Sequence, residues 1–262
     1  MKTLNILGAC FCFLLTSTAC TSLLDQNPQG IISDEDLNTP DKAEQMVNAA
    51  YSFCGQNHFN KQFGMPYEEG SLRGGEAYKG AAGTNDNAER HLWETFTYMQ
   101  PTTTGDLDNL WWVHYVGVGR VHDALRRVQA LSEEEYPLRN QRIAELRFLR
   151  GHIYMYMKLC FKFFPWIDEN TPTDQYDKVS NDELTDQELW GKLIDDFRFA
   201  ASNLPEKQEE VGRPTLFAAE AYLAKALLFA AYEQDEKNNV ININKDKLSE
   251  VASLCDHIIK KS

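Results

Sequence analysis

The residues best suited to chemistry lie in one glycine-rich stretch. Six of the 15 glycines fall between Gly64 and Gly83, and around them stand Phe59, Phe63, Tyr67, Arg73, Tyr78, Asn85, Asp86, Asn87, Arg90 and Trp93. Saccharides are held by two devices. An aromatic face packs on the apolar C–H face of a pyranose, and planar amide, carboxylate or guanidinium groups bond paired hydroxyls. This stretch holds both residue types, and Arg73, Tyr78, Asn85 and Trp93 are the candidate ligand-binding residues. The competing reading is that these aromatics pin the loop itself or contact a protein partner.

Other groupings carry less chemistry. His114 and His122 lie eight residues apart, two helical turns on one face, with Asp123 beside them. Two nitrogens without a third convergent ligand make a poor metal site, so core or surface histidines is the simpler reading. Asp106-Leu107-Asp108-Asn109 lacks the spacing and turn glycine of a calcium loop. Asp195 and Asp196 are neighbours that point apart on a helix, which suits no acid–base pair. Arg147 and Arg150 are three apart and share a helix side. They form either a charged seam against another element or, the favoured reading, structural arginines bonding loop carbonyls. No GxSxG, HExxH or phosphate-loop motif occurs. No catalytic residue, metal or cofactor is expected.

The elements that position these residues read as helices. Met1-Lys2, the 12-residue apolar run Leu4–Leu15 and the small Ala19 before Cys20 fit an export signal over residues 1–19. The run is too short to span a bilayer permanently. Cleavage before Cys20 would leave a cysteine open to lipid attachment; free thiol after ordinary cleavage is the alternative. Residues 20–40 read as an extended leader. Apolar residues at helical spacing place helices at about 41–54, 107–131, 137–163, 186–202, 215–233 and 246–260. Thr39-Pro40 suits the first helix start. Residues 55–106 show no long periodicity, and 166–184 form an acidic connector. Val240-Ile241-Asn242-Ile243 could form one short strand. The expected fold is all-α, with tetratricopeptide-like helix pairs, a long glycine-rich loop region and little or no sheet. The domain 41–262 is expected to be truncated at its C-terminal end, because its final helix has no pairing helix and would leave an apolar face uncovered.

Composition excludes some classes. Asp plus Glu is 39 against 26 Lys plus Arg, a net charge of -13. That balance opposes a nucleic-acid partner or electrostatic docking on anionic lipid. Beyond Cys20, only Cys54, Cys160 and Cys255 remain, with no CxxC spacing. A disulfide framework or thiolate metal site is not expected, and Cys160 and Cys255 read as buried inert thiols.

Four blocks together resemble the SusD/RagB family of outer-membrane nutrient-binding lipoproteins of Bacteroidetes. They are Cys20 with Leu24-Asp25, Pro28 and Gly30; Ala49-Ala50-Tyr51; Ala144 to Gly151 with Tyr154 and Phe164-Pro165; and Asp195 to Pro205 with Gly212-Arg213 and the alanine-rich helix after it. Leu146 and Gly151 stand where that family's motif has alanines, and Ser17 departs from its lipid box. The resemblance implies an α-helical fold on tetratricopeptide-like pairs. It implies an outer-membrane surface location through acyl chains (palmitate among them) on Cys20. It also implies a TonB-dependent SusC-like transporter as partner, and capture of oligosaccharide or related nutrient without chemistry on it. Members of that family are longer, so a C-terminal half is implied to be absent. The alternatives are a helical scaffold for peptide or protein partners, an extracellular glycan-cleaving enzyme, and a gene fragment without function of its own.

Overall fold

The computed structural model describes residues 37–52, 57–58, 61–62, 67–80, 82–86, 88–97 and 104–261. The expected signal peptide, Cys20, the leader up to residue 36, Phe59, Phe63 and Asn87 lie outside these residues.

Helix α1, Pro40–Ser52, begins where Thr39 and Pro40 predict, and buries Ala43, Val47 and Ala50. A two-residue hairpin follows, β1 Asn57–His58 and β2 Lys61–Gln62. Then come a π-helical turn, Tyr67–Leu72, and the short helix α2, Ala88–Thr95. Helices α3, Thr104–Ala130, and α4, Arg139–Phe161, form the first long pair. Helix α5, Asp186–Asn203, starts on a capping box in which Thr185 and Glu188 satisfy each other's backbone amides. Helix α6, Leu216–Ala231, is capped by Thr215. A hairpin of β3, Tyr232–Gln234, and β4, Val240–Ile243, leads to α7, Lys245–Lys261. The short strand expected at 240–243 is thus present.

Each of the long helices packs on the next in the order α1, α3, α4, α5, α6, α7. This serial contact is that of stacked helix pairs. Helix α4 sits centrally between α3 and α5, which explains why it buries residues on nearly every face, charged ones included. Val121, Leu125, Leu146, Leu149, Ile153, Leu193, Phe197, Leu223 and Leu227 belong to one continuous core. At Gly151 an added Cβ would lie 2.9 Å from Phe197 Cε1, so the missing side chain is what lets α5 approach α4. Phe197 in turn packs on Phe148 and Tyr222, joining α4, α5 and α6.

Three expectations change. Residues 88–95, read as irregular, are helical. The final helix does have a neighbour: α7 lies along α6, with Val251 and Leu254 half-buried against the core, although no residue of α7 is fully buried. Cys160 is half-buried as part of α4, but Cys255 is exposed because α7 turns that side to solvent. Among the described residues no helix is long and apolar enough to cross a membrane.

Candidate functional site

The four candidate residues lie within one stretch of chain and differ in burial. Leu72, at the end of the π-helical turn, and Trp93 of α2 are buried, Trp93 to 4% exposure. The Arg73 guanidinium lies 5.8 Å from the Trp93 ring centroid and 4.5 Å from that of Phe96. Arg73 thus makes cation–π contacts with both rings. Gly74 closes the turn: its amide donates to the Gly70 carbonyl at 2.6 Å, and a Cβ there would meet that oxygen at 2.8 Å.

Tyr78 is 71% exposed and Asn85 is exposed. Between them runs a loop ordered by one ammonium. Lys79 Nζ donates to the carbonyls of Gly83 and Asp86, both at 2.7 Å, and of Gly80 at 3.3 Å. Gly80 and Gly83 hold φ of 72° and 138°, a conformation costly for other residues. The glycines and Lys79 together fix a loop that presents a phenol and an amide to solvent.

The histidines go elsewhere. His114 and His122 are fully buried in α3. His114 Nδ1 meets the Leu110 carbonyl at 2.5 Å and its ring stacks on Tyr156. Burial pushes their pKa values down, to about 4 for His114 and about 3 for His122, where the Arg150 charge adds to the effect. Among the described residues no group of three His, Cys, Asp or Glu could hold a metal ion. The adjacent tryptophans divide: Trp111 packs on Tyr115 and Phe161, while Trp112 faces outward.

The paired arginines of α4 do not bond loop carbonyls as favoured above. They form the charged seam. Arg147 Nε and Arg150 Nε donate to the two oxygens of buried Asp196 on α5, each at 2.7 Å, and Arg150 also pairs with Glu169. Asp195 is exposed, so the two neighbouring aspartates do point apart. A second seam unites α1, α4 and the turn before α6. Arg213 bonds Glu145 at 2.8 Å and Glu44 at 2.9 Å, and Arg142 bonds the same carboxylates at 2.6 and 2.9 Å. Glu210 also pairs with Arg213, at 3.0 Å, so three carboxylates meet two guanidiniums, and both seams join packed elements.

Sequence reasoning missed one more feature. Two adjoining clefts, of about 410 and 350 Å³, open where α4 ends and α5 begins, and Phe163 lines both.

Residues 23–228 match the SusD-like family described as starch-binding and associating with the outer membrane. The chain belongs to the SusD-like family. SusD-like protein P2 of Formosa agariphila is 24% identical over 218 residues, 82% of this chain and 41% of that protein. Surface glycan-binding protein A from Bacteroides uniformis shares the fold with a TM-score of 0.67 at 20% identity, over 84% of this chain and 46% of that one. Surface glycan-binding protein A from Bacteroides thetaiotaomicron, solved in complex with laminarihexaose, shares the fold with a TM-score of 0.62 at 19% identity, over 84% of this chain and 43% of that one. The chain spans less than half the length of each of these relatives.

Proposed function

We propose that this protein captures oligosaccharide at the surface of the outer membrane and delivers it to a TonB-dependent SusC-like transporter, without chemistry on the sugar. The match to the SusD-like family over residues 23–228 carries this reading. The relative solved with laminarihexaose supports a glycan as cargo. The local chemistry agrees: an exposed phenol and amide, Tyr78 and Asn85, stand on a loop pre-ordered by Lys79. Pre-ordering lowers the entropy cost of binding. Cys20 is the proposed lipid attachment site, after removal of residues 1–19.

Two experiments test the reading. Titration with neutral oligosaccharides should give saturable binding that Tyr78→Ala weakens; the outer position of Tyr78 makes it a better probe than buried Trp93. Isolation from outer membranes should recover a large β-barrel transporter, and its consistent absence would remove the partner. A second reading, a helical scaffold for a protein partner, is favoured by the exposed Phe229, Tyr232 and Ile241 where α6 leads through the hairpin to α7. Binding to peptides alone would select it.

A further inference from the structure

The chain after α4 makes a turn that helices do not normally make. Lys162 has φ 60° and ψ -51°, and the Phe163 amide donates to the Phe161 carbonyl at 2.6 Å. This is a γ-turn of the rare, positive-φ kind. A lysine held there is strained, and such strain persists only where the surroundings over-determine it. Here they do. Lys158 Nζ donates to the Lys162 carbonyl at 2.6 Å and pairs with Asp186 at 2.5 Å. Lys162 Nζ donates to the Asp235 carbonyl at 2.9 Å and to Asn238 Oδ1 at 2.6 Å. Both ammonium groups flank Phe163, at 5.6 and 5.8 Å from the ring centroid. The result is an aromatic ring fixed in the shared wall of two open clefts.

The rest of the wall is planar and polar. Asn181, Gln187 and Gln234 contribute amides, and Asp182 and Glu183 contribute exposed carboxylates. Gln187 Oε1 accepts from Lys247 Nζ at 2.9 Å. Its Nε2 is buried with no hydrogen-bond partner among the described residues. A buried donor left unpaired is costly. The N-terminus of α5 is already capped by Thr185 and Glu188, so its amides are not what the ligand would use.

We infer that the Phe163 clefts form a neutral-pyranose subsite, distinct from the Tyr78–Asn85 loop. An aromatic face with amides and carboxylates around it is the chemistry that grips a sugar ring. Five carboxylates line the two clefts, against Lys162 in the wall and Lys158, which pairs with one of them, Asp186. That balance repels uronate or sulfated units. Among the described residues no three carboxylates converge there as metal ligands, and the ring and amides of the wall match an uncharged polyol. The combined clefts are of the size a small-ligand site requires, within the usual range of about 300–1,000 Å³.

This inference rests on the glycan-capture reading, and nuclear magnetic resonance separates their failures. The purified chain, with labelled phenylalanine rings and side-chain amides, is titrated with maltohexaose, laminarihexaose and hexagalacturonate. The expected result is that a neutral hexasaccharide shifts the Phe163 ring and Gln187 amide signals and hexagalacturonate does not. Phe163→Leu, which keeps apolar volume and removes the ring, should weaken the Gln187 amide shift about tenfold while the helical circular dichroism stays that of wild type. Tyr78→Ala should leave both shifts intact. Shifts confined to Tyr78 and Asn85, with Phe163→Leu titrating as wild type, would overturn the subsite and spare the capture reading. No shift anywhere with either neutral sugar at millimolar concentration would overturn both. Equal shifts with hexagalacturonate would overturn the neutral class.

Discussion

Glu145 shows what single residues contribute. It is fully buried, yet Tyr51 and Arg213 donate to one of its oxygens at 2.8 Å and Arg142 donates to the other at 2.6 Å. A buried carboxylate is tolerable only with such partners. Glu145→Gln keeps the shape and removes the charge, leaving Arg142 and Arg213 to share Glu44. Denaturant unfolding of that variant should show a loss of about 3–5 kcal/mol, the cost of breaking a buried pair from one side. A loss under about 1 kcal/mol would mean that water reaches the seam. None of this was legible in the sequence. The helical spacing of Arg147 and Arg150 was visible, but their partner Asp196 is 46 residues from Arg150 and Arg213 is 169 from Glu44. Only the packed helices bring such groups together.

Elements were the more legible level. The long helices fall close to their expected bounds because a 3.6-residue apolar period over four or more turns has few alternatives. Thr39-Pro40 marks one start and Thr215 another. Helix α2 was missed for a physical reason. Eight residues are too few to display a period, and the burial of Trp93 depends on Arg73, twenty positions earlier. The Phe163 clefts were hidden likewise, since they depend on a γ-turn held by Lys158 and on residues 181–187 and 234–236. At the α4–α5 contact, Gly151→Ala gains about 1 kcal/mol of helix propensity. It also drives a methyl to within 2.9 Å of the enclosed Phe197 ring. Overpacking of this kind costs about 1–3 kcal/mol. The variant should therefore melt no higher than wild type and most often lower, and a clear rise in melting temperature would contradict the close approach described here. Lys79→Met tests the loop. Losing three carbonyl contacts should raise amide exchange at residues 80–86 and leave exchange in α4 unchanged.

Over the whole molecule, burial of neutral histidines sets the response to acid. His114, His122 and His152 have pKa values pushed down to about 4, 3 and 4, chiefly by burial. The unfolded chain takes up these protons near pH 6.5, whereas the folded chain does not until pH 4 or below. Stability is therefore complete above about pH 6.5 and falls as pH drops toward 4. His114 alone accounts for about 3 kcal/mol at 1.36 kcal/mol per unit. Glu44 acts in the same direction at lower pH. Burial raises its pKa, but hydrogen bonds from Arg142 and Tyr136 outweigh that and hold it below the usual carboxylate range. Melting temperature should decline between pH 6.5 and 4, and a flat profile would show that the histidines are hydrated. The helical array and its family were legible in the sequence, from Cys20 with its leader and from Ala144 to Gly151. The cargo was not, because it depends on which loop and cleft groups converge. Calorimetric titration of the purified chain with maltohexaose and laminarihexaose tests oligosaccharide capture most directly. The expected result is saturable heat with at least one neutral hexasaccharide, no release of shorter sugars, and weaker binding in Tyr78→Ala. No heat from either sugar at millimolar concentration, or steady release of cleaved products, would contradict it.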